Sequence, residues 1–228
     1  MKKIAILQSS YIPWKGYFDI IRSVDEFIIY DEAQYTKRDW RNRNLIKTSS
    51  GTTWLTIPVK VKGKFNQRIS ETEVVNEQWA NKHWKTILQN YHKTKYFSEI
   101  SQFLEPLYKT KYNYLSDINF NFIKAISSYM GIKTIIKDSS NYKIIGNPTE
   151  KLVAICKQAS ATEYITGSSA KNYIDNKLFK KENITLTWFN YNNYPQYPQK
   201  GDKFIHEVSI LDLLFSCGKN SIKYLEAN

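Results

Sequence analysis

Lys3–Asp31 reads KIAILQSSYIPWKGYFDIIRSVDEFIIYD. Its opening, KIAILQ (Lys3–Gln8), is a short apolar run of the kind that forms a strand buried on both faces. Pro13 and Gly16 punctuate the following Ser9–Gly16 stretch as a loop. Tyr17–Ser23 reads as a helix, and Glu26–Asp31 as a second buried strand. Strand, loop, helix and strand within about thirty residues is a βαβ unit, which implies a parallel sheet. Ligands of open α/β sheets bind where the strands end and the loops begin. The loops Gln8–Tyr17 and Asp31–Asn44 are therefore expected to face one crevice.

The second of these loops contains Tyr35–Asn44, YTKRDWRNRN, with arginines at 38, 41 and 43 and a single acid, Asp39. The wider segment Lys37–Arg68 holds nine Lys/Arg against that one acid, so it supplies eight of the net +12 charges. Such a field attracts phosphorylated small molecules or polyanions. Guanidinium forks match phosphate oxygens in pairs, so Lys37, Arg38, Arg41 and Arg43, with Asn42 among them, are candidates to grip a pyrophosphate. A solvated surface loop is the plainer alternative, and Trp40 among the charges argues against it.

Further along, Thr52–Val61 reads as a third strand and Arg68–Val75 as a fourth, paired as a hairpin across Gly63. Trp79, His83, Ile87 and Tyr91 recur every four residues, the stripe of a helix. Tyr96–Tyr108 and Tyr114–Gly131 read as two more helices, the last stopped by Gly131. Lys133–Ser140 is expected to be a strand that runs into a polar loop. Asn147, Pro148 and Glu150 are the cap, first position and box-closing acid of a helix. Glu163–Gly167 and Ile184–Tyr191 read as strands, separated by a loop or helix start at Ser168–Ile174. A proline-punctuated aromatic loop, Tyr194–Phe204, precedes a buried helix capped by Gly218. One α/β domain spanning residues 1–228 is expected, with a helical insertion from about Asn76 to Met130 covering one side.

The 228 residues are enough for a substantial core, and 42% of them are hydrophobic, which excludes a disordered chain. Seventeen tyrosines and six tryptophans suit sugar and nucleotide surfaces, although low-GC codon usage also produces such a composition. Cys156 and Cys217 read as buried, reduced thiols. The three histidines are scattered and no metal-ligand spacing occurs. The apolar run in MKKIAILQSS is too short for a signal peptide, and no stretch approaches a membrane span, so a cytoplasmic location is expected.

Several residues invite chemistry. Gln8, Tyr11, Trp14 and Lys15 share the first loop. The aromatics there are suited to stack on a sugar or base and Gln8 to hydrogen-bond it, unless the loop is only a packed turn. Asp31, at the end of the second strand, is placed to orient an amine or to pair with an arginine. His83 reads as a core histidine. His206 is the histidine best placed for general-base work. Ser209 and Asp212 read as a capping box. Gly167, Ser168 and Lys171, after a strand, offer amides, a hydroxyl and an ammonium to an anion, or form an ordinary helix cap.

Taken together, LQSSYIPWKGYFDII (7–21), VDEFIIYDEAQYTKRDWRNRN (24–44), WLTIPV (54–59), WANKHWKTILQNYHK (79–93), ITGSSAKNYID (165–175), YPQ (194–196) and SILDLLFSCG (209–218) resemble the WbqC-like family over nearly the whole chain. One departure is that Gln8 is followed by Ser9 where the family often has proline. The resemblance implies a place in the biosynthesis of O-antigen or another surface polysaccharide. It also implies glycyl transfer to an amino sugar. The substrates would be a nucleotide-linked amino sugar and an activated acyl donor, with a tRNA-borne glycyl group as one form of donor. Asp31 or His206 would act as base, and Gln8, Asn42 or Lys171 would hold the oxyanion.

The order of elements is Rossmann-like, a mostly parallel sheet with a helical insertion. G-x-G-x-x-G, a Walker lysine and H-x-G-H are all missing from the sequence, so no cofactor is expected. Two other classes compete. Lysines interleaved with aromatics at Tyr91–Phe97 and Tyr108–Tyr114 allow nucleic-acid binding. A non-catalytic scaffold of a polysaccharide assembly complex is the third. On the sequence alone, Arg38→Ala and Arg43→Ala are each expected to abolish ligand binding with the fold intact, as a titration of ligand against each variant would report.

Overall fold

A computed structural model describes residues 1–201 and 203–226. Its centre is a five-stranded parallel sheet of β1 (Lys3–Leu7), β2 (Glu26–Ile29), β5 (Ile135–Asp138), β6 (Glu163–Thr166) and β7 (Thr185–Trp188). They lie in the order β5-β2-β1-β6-β7, and every neighbouring pair is parallel. The expected βαβ unit is present, with α1 (Lys15–Arg22) linking β1 to β2. Because β1 pairs with β2 on one side and with β6 on the other, the connections diverge at β1, which makes a topological switch point.

Successive side chains of a strand point to opposite faces, and two cores follow from that alternation. Ala5, Phe27, Ile29 and Ile165 face one core, with α1, α2 (Gln78–Tyr91), α3 (Phe97–Lys109), α4 (Leu115–Tyr129) and α7 (Ile210–Cys217) packed over them. Ile4, Ile6, Ile28 and Tyr164 face the other, under α5 (Pro148–Gln158) and α6 (Asn176–Lys181). The result is a three-layer α/β/α arrangement, and the expected helical insertion is α2–α4.

Within the first core, the His83 Nε2–H donates to the Thr56 carbonyl (3.1 Å), which leaves Nδ1 to accept from the Tyr11 hydroxyl (2.9 Å). Burial lowers the His83 pKa to about 4, so the ring is neutral at pH 7. The expectation of a core histidine holds.

The hairpin differs from the one expected. Its strands are β3 (Arg43–Thr48) and β4 (Gly51–Thr56), joined at Ser49 and Ser50, rather than Thr52–Val61 with Arg68–Val75. The end of the basic stretch is thus itself a strand. Its buried positions are Asn44, Ile46 and Lys47, two of them polar, so the usual apolar alternation is hidden. Arg68–Val75 is instead a chain of turns held by single bridges, Gln34 to Arg68 and Val59 to Val74. The short α6 also went unread; Asp175 caps it by accepting from the Lys177 amide (2.9 Å).

The cap of α5 is as expected. The Asn147 side chain accepts from the Thr149 and Glu150 amides, while Glu150 accepts from the Asn147 amide (2.7 Å). The cap of α7 is only half of a box. Ser209 accepts from the Leu211 amide, but its own amide donates to the Leu45 carbonyl. Asp212 turns away to accept from Tyr91, Tyr197 and Gln199.

Among the described residues of Phe189–Val208 there is no helix or strand, and buried side chains strap this segment down. Tyr194 donates to Asp19 (2.8 Å), Tyr197 to Asp212 (2.8 Å), and the Lys15 ammonium to the Pro195 carbonyl (2.8 Å). Asp202 of the expected aromatic loop lies outside the described residues.

Gly218 ends α7 at φ +55°, and a Cβ there would stand 2.5 Å from the Tyr96 ring. Gly218→Ala combines a backbone only glycine tolerates with an overpacked core. The expected loss is between about 2 and about 4 kcal/mol by equilibrium urea unfolding. A loss below about 0.5 kcal/mol, the range of an ordinary surface change, would contradict this account of the helix end.

Candidate functional site at the switch point

A cleft of about 1050 Å³ opens at the carboxyl ends of β1, β2 and β6. Gln8, Ser10, Pro13, Trp14 and Tyr17 come from the first loop and the start of α1. Glu32, Ala33 and Gln34 follow β2, and Trp40, Arg41 and Asn44 come from the basic stretch. Thr166 ends β6 and Gly167, Ser169 and Tyr173 follow it, Pro148 and Lys151 stand on the first turn of α5, and Tyr191 and Glu207 belong to the strap. The two loops expected to face one crevice do so.

The first loop follows an unusual path. Ile12 is a β-branched, fully buried residue at φ +41°, in the left-handed region that such residues avoid. The Asn44 side-chain amide holds this turn by donating to the carbonyls of both Tyr11 (3.0 Å) and Ile12 (2.8 Å). Ser9 is fastened at three atoms. Its amide donates to Asp31 Oδ1 (2.8 Å), its carbonyl accepts from Arg41 Nη1 (2.7 Å), and its hydroxyl oxygen accepts from Asn119 Nδ2 (2.9 Å). Asn119 also donates to the Arg41 carbonyl (2.9 Å). The first loop and the basic stretch are therefore one polar unit.

Asp31 lies within that unit, 1% exposed, and its second oxygen, Oδ2, has no hydrogen-bond partner. Burial pushes its pKa up to about 6; the Ser9 bonds and the Arg41 charge pull the other way and lose. A buried, half-satisfied carboxyl with a pKa raised toward neutrality is able to accept a proton, although Asp31 stands behind the cleft wall between Tyr30 and Glu32 and does not itself line it. Arg41 keeps its Nε without a hydrogen bond, 3.6 Å from the Asp39 carboxylate.

The other anticipated residues scatter. Arg41 alone among the basic candidates of that stretch lines the cleft. Arg43 lies over the Trp54 ring at 4.2 Å and donates to the Arg38 carbonyl. Arg38 is exposed at φ +59°, and the Lys37 ammonium sits 5.5 Å from the Phe65 ring. Asn42 is buried and donates to the Ile57 carbonyl (2.8 Å). Tyr11 is fully buried, bonded to His83 and Tyr108, and does not face the cleft.

Gln8, Trp14 and Gly167 line the cleft, whereas Ser168 and Lys171 do not; Lys171 stands 5.4 Å from the Trp188 ring. His206 packs on Phe204 with ring centres 4.6 Å apart, and it is Glu207, the next residue, that reaches the cleft. Burial, followed by the Lys15 charge, lowers the His206 pKa below its usual value. Lys15 itself is buried among Tyr194, Tyr197 and Phe204, and burial lowers its pKa to about 8.

Sequence reasoning missed Lys151, Tyr191, Asn44 and Asn119. Lys151 was readable in principle, one turn beyond a well-marked helix cap. Asn44 and Asn119 carried no signal, because their roles depend on which carbonyls the fold brings to them.

Fold and site thus define a parallel α/β protein with a deep aromatic cleft at its switch point. The sequence matches the WbqC-like protein family over residues 8–224, and the chain belongs to that family. It is 50% identical over 226 residues, 99% of this chain and 98% of the relative, to the uncharacterized protein Rv1507c of Mycobacterium tuberculosis (strain ATCC 25618 / H37Rv). No solved structure matches significantly. Among the described residues no helix is long and apolar enough to cross a membrane.

The Asp31 titration has a direct consequence for stability. Its folded pKa, about 6, lies above the ordinary carboxyl value of 3.8. The fold therefore favours the protonated form, and that advantage is complete below about pH 4 and lost as pH rises through about 6. Asp31→Asn, which keeps an acceptor for the Ser9 amide, is expected to be more stable than the parent at pH 7 by up to about 3 kcal/mol. Denaturation at a series of pH values should show the gain vanish near pH 4. A variant less stable than the parent at pH 7 would mean that Asp31 is satisfied in the fold.

Proposed function

We propose that this protein transfers an acyl group, such as glycyl, to the amine of a nucleotide-linked amino sugar during surface-polysaccharide biosynthesis. The observation that carries the reading is the Asp31–Ser9–Arg41 unit beneath an aromatic cleft, with a carboxyl poised near pH 6. Family membership supports the sugar context, since the WbqC-like resemblance points to polysaccharide clusters. In this reading Arg41 and Lys151 receive the diphosphate, and guanidinium and ammonium divide the charge. Trp14 and Tyr191, with ring centres 5.7 Å apart, flank the sugar or the base.

The chemistry needs two things from the chain. An amino sugar enters as its ammonium ion, so a base must remove one proton before nitrogen can attack the acyl carbonyl. Ionised Asp31 accepts that proton. The C–N bond then forms as the carbonyl oxygen becomes an oxyanion, which the Gln8 amide stabilises. Collapse expels the leaving group of the acyl donor, which departs with the proton held by Asp31, and the regenerated carboxylate takes the second nitrogen proton and passes it to solvent, leaving a neutral amide. Asp31 rather than His206 is the base here, because Asp31 is bonded through Ser9 to the loop that walls the cleft, whereas His206 packs on Phe204 and the strap presents Glu207 instead.

The reading yields separable outcomes. A nucleotide-linked amino sugar that binds only the native state raises the melting temperature by mass action. Arg41→Ala is expected to weaken that binding by about ten- to a hundredfold, the loss of a charge-assisted hydrogen bond. Asp31→Asn is expected to retain the thermal shift but to form no amide product by mass spectrometry. Turnover in the parent should rise with pH through about 6, the direction for a base that must be ionised. No thermal shift with any nucleotide-linked amino sugar, or amide formed at parental rate by Asp31→Asn, would sink the proposal.

A further inference from the structure

The outward face of the β3–β4 hairpin carries an aromatic and guanidinium stack that the cleft chemistry leaves unused. The register pairs Arg43 with Thr56 and Leu45 with Trp54, so Arg43 and Trp54 stand as diagonal neighbours on one face. The Arg43 guanidinium lies 4.2 Å from the centre of the Trp54 ring. Trp40 packs against the same indole, with ring centres 5.4 Å apart. Indoles in contact normally bury most of their surface, yet Trp40 and Trp54 remain 42% and 43% exposed. Close to the cleft rim, Gln34 donates to the Phe65 carbonyl (2.8 Å), and Phe65 is 75% exposed beneath the Lys37 ammonium.

The distribution of ion pairs says what this surface attracts. Lys60 and Lys64 share Glu73, Arg68 pairs with Glu32, and Arg41 with Asp39. Lys37, Arg38 and Arg43 form no such pair among the described residues. Lys47 and Lys62 also lack a carboxylate among those residues, but Lys47 is buried with its ammonium on the Lys203 carbonyl, so Lys37, Arg38 and Arg43 are the unpaired cations that stand among the exposed rings. Rings that accept a flat partner, set among uncompensated cations, complement a chain of bases joined by phosphates. A duplex hides its base faces and would use the cations alone. An acidic polypeptide would use the cations but not the rings.

We propose that the Trp40–Trp54–Arg43 stack is a binding platform for single-stranded nucleic acid, with its backbone along Lys37 and Arg38. Trp40 belongs both to the stack and to the cleft wall, so a strand lying on the platform has one end at the cleft mouth. The platform stands on its own geometry and does not need the acyl-transfer reading to be correct.

The test is a fluorescence anisotropy titration of the full chain with short unstructured RNA and DNA oligonucleotides. The duplex form of each and poly-glutamate serve as competitors, over a series of salt concentrations. Single strands of either sugar should bind, with log affinity falling linearly in log salt at about 0.7 per phosphate contacted. Trp54→Ala should weaken binding by about tenfold or more, the loss of one stacked base, and Trp54→Phe should restore part of it. Trp54 lines no part of the cleft, so the thermal shift of Trp54→Ala with a nucleotide-linked amino sugar should match that of the parent. That second measurement separates a failed platform from a failed cleft and also reports that the variant is folded. Equal affinity for duplex and single strand, equal competition by poly-glutamate, or parental binding by Trp54→Ala would each overturn the proposal.

Discussion

The site depends on how Ser9 is held. Its amide, carbonyl and hydroxyl each engage a different part of the chain: Asp31 at the end of β2, Arg41 in the basic stretch and Asn119 on α4. A strand terminus in a parallel sheet leaves backbone groups without sheet partners, and buried ones must find others. Here those partners are the residues that shape the cleft. The same bonds that satisfy the end of β1 place a carboxyl beneath the pocket and a guanidinium at its wall. The strained turn at Ile12 persists because Asn44 bonds the carbonyls on both sides of the Ile12 Cα.

A second set of polar bonds performs the same task for the strap. The segment from Phe189 to Val208 cannot be held by a ladder of backbone bonds, so buried side chains hold it. Asp19, Asp212 and Lys15 bind it through two tyrosine hydroxyls, a glutamine and one carbonyl. Burial raises the pKa of both acids, which measures how far they have been taken from water. Through these tethers Tyr191 and Glu207 come to the cleft although no regular element carries them.

The fold was legible in the sequence wherever burial imposed a period. β1, α1 and β2 announced themselves because a doubly covered strand must be apolar throughout and its crossover helix must not. The stripe through Trp79, His83, Ile87 and Tyr91 gave α2, and the Asn147 box gave the start of α5. Reading failed where polar residues occupy the inside. Asn44 and Lys47 are buried on β3, so a true strand looked like a charged loop, and the hairpin was placed downstream of its position. The site was legible as a region rather than as a set of roles. Switch-point topology put Gln8, Trp14, Asp31 and Arg41 in the right neighbourhood. It could not tell Arg41 from Arg38 and Arg43, because which guanidinium turns inward is settled by Ser9 and Trp54, contacts between residues far apart in sequence.

Asp31 has a further implication for how variants of this protein should be sought. A half-satisfied carboxylate at the heart of a fold is a local defect by any measure of robustness. Selection for heat resistance or expression yield would find its replacement among the easiest improvements, and the collection would drift toward sturdier chains without it. In the proposed transfer, robustness and chemistry draw on the same side chain in opposite directions. A library ranked on folding alone would therefore be enriched in molecules that lack this carboxyl.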